Sequence, residues 1–197
     1  MIIGLDFDNT IVRYDKAIDI LAREYLRLPR DLPRTKVDIR NYLKNNDREA
    51  EWTLFQGRIY GPGMAHAELY DDARHVISEL RNAGHEVRVI SHRTRLPYLG
   101  EKYDLHFYAR AWIDDQIPEI AEEVTFHHSS AQKLKAITEV HCALFLDDLP
   151  QILTDSMFPA STAGVLFSPC GVNTDWEGMQ IDSWRELNSL VASHGQP

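Results

Sequence analysis

The sequence predicts an α/β fold: a three-layer, Rossmann-like core with a mainly parallel sheet, plus a small helical segment inserted after the first strand. Three observations predict it. Short apolar, β-branched runs recur along the chain, stretches of helical periodicity separate them, and residues 14–66 break that rhythm.

The strand-like runs lie at 2–7 (IIGLDF), 86–91 (EVRVIS), 143–148 (ALFLDD) and 163–168 (AGVLFS), with a weaker one at 123–127 (EVTFH). Residues 67–82 place Leu69, Ala73, Val76, Ile77 and Leu80 on one face, and Asn82-Ala83-Gly84 supplies a helix stop. Residues 131–140 repeat the pattern with Leu134, Ile137 and Val140. Strand, helix, strand in this order predicts right-handed crossovers between parallel strands. The segment 14–66 is helical in pattern, is punctuated by Pro29 and Pro33, and ends at Gly61-Pro62-Gly63. It therefore predicts an insertion of its own, leaving 1–13 and 67–197 as the core.

Composition excludes several classes. Hydrophobic residues make up 44% and charged residues 26% of the 197, which rules against disordered and fibrous chains. No apolar run approaches the roughly 20 residues of a membrane span, and the chain reaches Asp6 and Asp8 too early for a signal peptide, so a cytoplasmic protein without a membrane partner is expected. Cys142 and Cys170 are expected as two buried small hydrophobes. A formal charge of −9 argues against a nucleic-acid partner. The charge is uneven: residues 14–66 carry ten Lys or Arg against eight acids. That is either a solvated helical surface or a module that meets an anionic substrate.

The chemistry concentrates where strands end. In an open parallel sheet, ligands sit beyond the carboxyl ends of the strands, and three runs here end in Asp6 to Asp8, Ser91 and Asp147-Asp148. Asp6 and Asp8 fall on the same side of an extended chain because side chains alternate. Adding Asp147 gathers carboxylates that repel unless a hard divalent cation such as Mg2+ neutralises them.

These residues resemble the haloacid dehalogenase-like (HAD) superfamily of phosphotransferases. Its first motif is similar to Asp6-Phe7-Asp8-Asn9-Thr10, its second to the strand VRVI closing on Ser91, and its fourth to Asp147-Asp148 after ALFL; a Lys precedes the fourth. The resemblance covers most of the chain in the correct order and makes 14–66 the family's cap. It implies a Mg2+-dependent phosphatase acting on a small phosphorylated metabolite. Asp6 is then the nucleophile that forms an aspartyl phosphate, and Asp8 the general acid and base. Asp6, the backbone carbonyl of Asp8 and Asp147 are implied metal ligands, with Asp148 holding a metal-bound water or touching the metal secondarily. Ser91 and the Lys are implied partners of the phosphoryl oxygens. The implied alternatives are a phosphomutase or other phosphotransferase and, at a greater distance, a receiver-like phosphoacceptor module, which the Asp-x-Asp signature and the insertion disfavour.

Several residues keep two readings. Lys133 and Lys135 both open the helix after Ser129-Ser130, and periodicity does not choose between them; the family's placement favours Lys133. His92-Arg93-Thr94-Arg95 is either a basic loop gripping a substrate anion or a solvated turn, and Arg13 is a similar candidate. Trp52, Phe55 and Tyr60 form either a stacking wall for the substrate or the core of the insertion. Asp114-Asp115 mimics the fourth motif, but the four-residue recurrence of Leu99, Tyr103, Phe107 and Ala111 places it near a helix end facing solvent. No pair among the nine His has zinc-ligand spacing and partners.

Overall fold

The computed structural model describes residues 1–171 and 175–194. Its strands are β1 (Ile2–Leu5), β2 (Val12–Arg13), β3 (Glu68–Leu69), β4 (Glu86–His92), β5 (Val124–His127), β6 (Leu144–Asp147), β7 (Ala163–Phe167) and β8 (Met179–Ile181). Its α-helices are α1 (Asp15–Tyr25), α2 (Lys36–Asn45), α3 (Glu49–Tyr60), α4 (Ala73–Asn82), α5 (Leu105–Gln116), α6 (Ser130–Val140), α7 (Pro150–Leu153) and α8 (Trp184–His194).

Six strands form one parallel sheet in the order β5-β4-β1-β6-β7-β8. Ile3 pairs with Val87 on one side and with Leu144 on the other, so β1 is central. Ile3, Leu5, Val89, Leu144, Phe145 and Leu146 are wholly buried, as expected of strands covered on both faces. Each such side chain contributes roughly 1.5–3 kcal/mol by leaving water. Gly4 has a steric reason: a Cβ there would lie 2.4 Å from Cδ2 of Phe145, too close for any other residue. Leu134 and Ile137 of α6 and Ile152 and Leu153 of α7 pack with Ile90, Phe145 and Leu166 of the sheet. α4 packs on β4 and on α8.

The first expected helix is shorter than its periodicity. Leu69 lies in β3, which pairs with β2, and Asp72 adopts a left-handed conformation (φ 63°) that stops the helix from extending upstream of Ala73. Its stop is where the sequence puts it: Gly84 takes φ 85°, and the His85 N–H closes on Leu80 O at 3.0 Å. The short strands β2, β3 and β8 carry too few alternating residues for the sequence to mark them.

The chain divides into two compact units. One comprises Met1–Val12, Leu69–His92 and Glu119–Pro197, the other Arg13–Glu68 and Arg93–Pro118. The second unit thus takes in 93–118 besides the segment after β1, and the crossover from β4 to β5 runs through it. Trp112 of α5 is the reason at one end, donating its indole N–H to Ala67 O at 3.1 Å. Arg93 is the reason at the other, as described below. Within this unit Trp52 and Phe55 are buried, which is the packing reading of those rings. Leu105, Ala109, Trp112 and Ile113 form the buried face of α5, whereas Phe107 is 65% exposed; Asp114 and Asp115 lie exposed on the helix. Cys142 is buried but Cys170, in the loop after β7, is exposed, correcting the expectation for that residue.

Candidate active site

Asp6 is carried to the sheet edge by the ladder itself, its backbone N–H donating to Leu146 O at 2.8 Å. The chain then turns tightly. Phe7 O accepts the N–H groups of Ile11 (3.1 Å) and Val12 (3.0 Å), and Asn9 at the turn has φ 60°. Phe7 is wholly buried, its ring 5.8 Å edge-on from that of Phe126. Asp6 and Asp8 flank it, which is how the two carboxylates leave the core on one side.

Lys133 joins this strand end to that of β6. Its Nζ donates to Asp6 Oδ1 and to Asp147 Oδ2, both at 2.6 Å. Ser91 Oγ, from β4, donates to the same Asp6 Oδ1 at 3.0 Å. Asp147 Oδ1 accepts the Leu149 N–H at 3.0 Å. The Lys is delivered by its helix: Ser129 caps α6 by accepting from Gln132 N, and the Lys133 N–H donates to Ser129 O at 3.0 Å. Lys133 is 1% exposed, Asp6 4% and Asp147 0%, so these charges are out of water. Lys135 is on the exposed face, 3.5 Å from Glu139.

One ammonium between two carboxylates leaves an excess negative charge in a dry place. Burial, the largest cause, together with the neighbouring Asp147 and Asp8 carboxylates, pushes Asp6 up to about 7, while Lys133 pulls it down. Lys133 itself is held charged, its pKa raised above the usual lysine value by Asp6 and Asp147 against the opposing cost of burial. Carboxylate oxygens of Asp6, Asp147 and Asp148 all lie within 4.8 Å of one another. The donor set is hard oxygen, and both hydrogen bonds to the Asp6 carboxylate fall on Oδ1, leaving Oδ2 for a further ligand. These residues fit a divalent cation of the Mg2+ or Ca2+ type.

The remaining candidates lie as follows. Asp8, partly buried, sits in the turn and its backbone bridges to Val12. His92 is exposed; its Nε2–H donates to His128 O at 3.2 Å, since a carbonyl only accepts, and Nδ1 is 3.5 Å from Ser130 Oγ. In the second unit, Arg13 is 3.6 Å from Glu68, which Lys16 also reaches at 2.7 Å. Arg93 is 4% exposed, so a solvated turn does not describe it. Its guanidinium donates to Tyr60 O at 2.6 Å, Leu105 O at 3.2 Å and Tyr14 Oη at 3.4 Å, fastening the 93–118 segment to the inserted one.

Two groups near the Asp8 turn carry no mark in the sequence. Trp184 Nε1 donates to Thr10 O at 3.1 Å, and the Tyr70 N–H donates to Ile11 O at 3.0 Å. An indole late in the chain and a backbone donor give no periodic or motif signal.

No protein-family model matches this sequence, and no curated protein matches it. Solved structures do. A predicted phosphoglycolate phosphatase from Haemophilus somnus is 14% identical with TM-score 0.61, covering 96% of this chain and 97% of its own. A HAD family hydrolase from Deinococcus radiodurans, with bound phosphate and sodium, is 15% identical with TM-score 0.61, covering 98% and 95%. A Bacillus subtilis protein described as a HAD-hydrolase, bound to magnesium, is 12% identical with TM-score 0.62, covering 96% and 97%. The chain has the haloacid dehalogenase-like fold. Among the described residues, no helix is long and apolar enough to cross a membrane.

Proposed function

We propose that this protein is a cytoplasmic, Mg2+-dependent phosphatase that hydrolyses a small phosphorylated metabolite through an aspartyl phosphate on Asp6. The observation that carries the reading is the buried cluster in which Ser91 and Lys133 both donate to Asp6 Oδ1 while Lys133 also holds Asp147. The phosphate, sodium and magnesium bound by structures of the same fold support it.

Asp6 is the nucleophile. Its carboxylate attacks phosphorus, the ester oxygen departs with a proton from Asp8, and Asp8 then takes a proton from the water that hydrolyses the aspartyl phosphate. Lys133 and Ser91 hold Asp6 in place and donate to phosphoryl oxygens as charge moves onto them. Asp6, Asp147, Asp148 and the backbone carbonyl of Asp8 would hold Mg2+. When bound, that ion neutralises the charge that otherwise keeps an anionic nucleophile from an anionic phosphate. Burial by itself keeps the proton that Asp6 must lose to attack, and a cation held in the cluster would favour that loss.

The inserted segment 14–66 serves in this reading as the specificity cap, and Arg13 and His92 are the candidates for the substrate's remaining groups, the Arg93 guanidinium being engaged by Tyr60, Leu105 and Tyr14. The test is to quench the reaction in acid and map the phosphorylated residue by mass spectrometry. Phosphate on Asp6 is expected; phosphate on another residue, or none during turnover, contradicts the mechanism.

A further inference from the structure

The turn that carries Asp8 is held from below at two consecutive carbonyls. Thr10 O accepts from the Trp184 indole at 3.1 Å and Ile11 O from the Tyr70 backbone at 3.0 Å. The two donors are themselves joined: the Phe167 ring sits edge-on to Tyr70 at 4.9 Å and to Trp184 at 6.3 Å. Trp184 is 1% exposed and Thr10 0%, so this hydrogen bond is shielded from water. The Thr10 hydroxyl has no hydrogen-bond partner among the described residues, so the carbonyl is what fastens the residue on this side.

The turn is packed as well as bonded, with Phe7, Ile11 and Val12 wholly buried. Within the turn, Phe7 O accepts the N–H groups of Ile11 and Val12 and Val12 O accepts that of Asn9, whereas the Thr10 and Ile11 carbonyls take their donors from outside it. A buried carbonyl without a donor is costly, and a turn that rotated to find one elsewhere would swing Asp8, two residues away. α8 in turn is tied to α4: Arg185 pairs with Asp72 at 2.7 Å and Asn188 donates to Glu79. The donor is thus mounted on a braced helix.

We infer that Trp184 is a positioning residue for Asp8: its indole N–H, held by Phe167 and α8, sets the pose of the turn from which Asp8 delivers its proton. This rests on the phosphatase reading above. It predicts a defect of a particular kind. A misplaced general acid slows esters whose leaving group needs a proton and spares those whose leaving group departs as a stable anion.

The experiment compares kcat/KM with Mg2+ for an alkyl phosphate and for p-nitrophenyl phosphate, in the native protein and in Trp184→Phe. A second variant carrying β-(3-benzothienyl)alanine at position 184 keeps the ring shape and lacks only the N–H, which guards against a folding failure of the first. Melting temperature is recorded for both. The expected result is a fall of about 10-fold on the alkyl ester with less than about 3-fold on the aryl ester. An equal fall on both esters, or no fall in either variant, overturns the inference. The alkyl ester used is the one turned over fastest in a panel of metabolite phosphate esters; if the native protein turns over no ester of that panel, the phosphatase reading fails first and the inference falls with it.

Discussion

Lys133 and Asp6, 127 residues apart in sequence, meet at 2.6 Å with both side chains out of water. The same ammonium reaches Asp147 at 2.6 Å, so one cation is shared by two carboxylates from neighbouring strands. Removing it strands both. Lys133→Met is expected to destabilise the metal-free protein by about 3–5 kcal/mol, with added Mg2+ recovering part of the loss. Lys135→Met, on the exposed face, should stay within about 0.5 kcal/mol. Denaturant unfolding of the two variants with chelator checks this, and equal effects would contradict it.

Asp6 makes the metal-free fold sensitive to pH. Its folded pKa is raised from 3.8 to about 7, so the native state keeps a proton that the unfolded chain gives up in between. The stability it contributes is therefore present below about pH 4 and lost as pH rises through about 7. With chelator, the native protein should lose more melting temperature between pH 5 and pH 8 than Asp6→Asn does. Parallel curves would show that Asp6 does not hold that proton.

Asp8 should separate chemistry from metal binding. Asp8→Asn is expected to lower kcat/KM on an alkyl phosphate about 10²–10⁴-fold. The rise in melting temperature on adding Mg2+ should largely survive, because the residue is proposed to offer the metal its backbone carbonyl. Loss of the Mg2+ shift would instead make the side chain a ligand.

Arg93 is expected to act on the second unit's integrity. Lys in its place cannot span Tyr60 O, Leu105 O and Tyr14 Oη together. Arg93→Lys should cost about 2 kcal/mol and expose the 94–104 segment to limited proteolysis. An unchanged cleavage rate would contradict that role.

The acidic cluster of the candidate site was legible because strand-end acids are written consecutively with the apolar runs that position them: IIGLDFD and ALFLDD each contain a strand and the acids that follow it. Ser91 followed from the same logic. Choosing Lys133 over Lys135 required the helix's rotation, since the two flank Leu134 and differ by about 200° around the axis. The 93–118 segment falls within the 67–197 core expected from the sequence; what places it in the second unit is a buried guanidinium and an indole bonded to distant carbonyls, and neither leaves a period. Trp184 escaped for the same reason, its partner Thr10 being 174 residues away.

Asp6 is proposed as the nucleophile of a metal-dependent phosphatase. The most direct test is phosphate release from a panel of metabolite phosphate esters, with Mg2+ and with chelator, by the native protein and by Asp6→Asn. Multiple turnovers on at least one ester, dependent on Mg2+ and abolished in Asp6→Asn, are expected. Turnover that persists in Asp6→Asn would contradict the proposed role of Asp6.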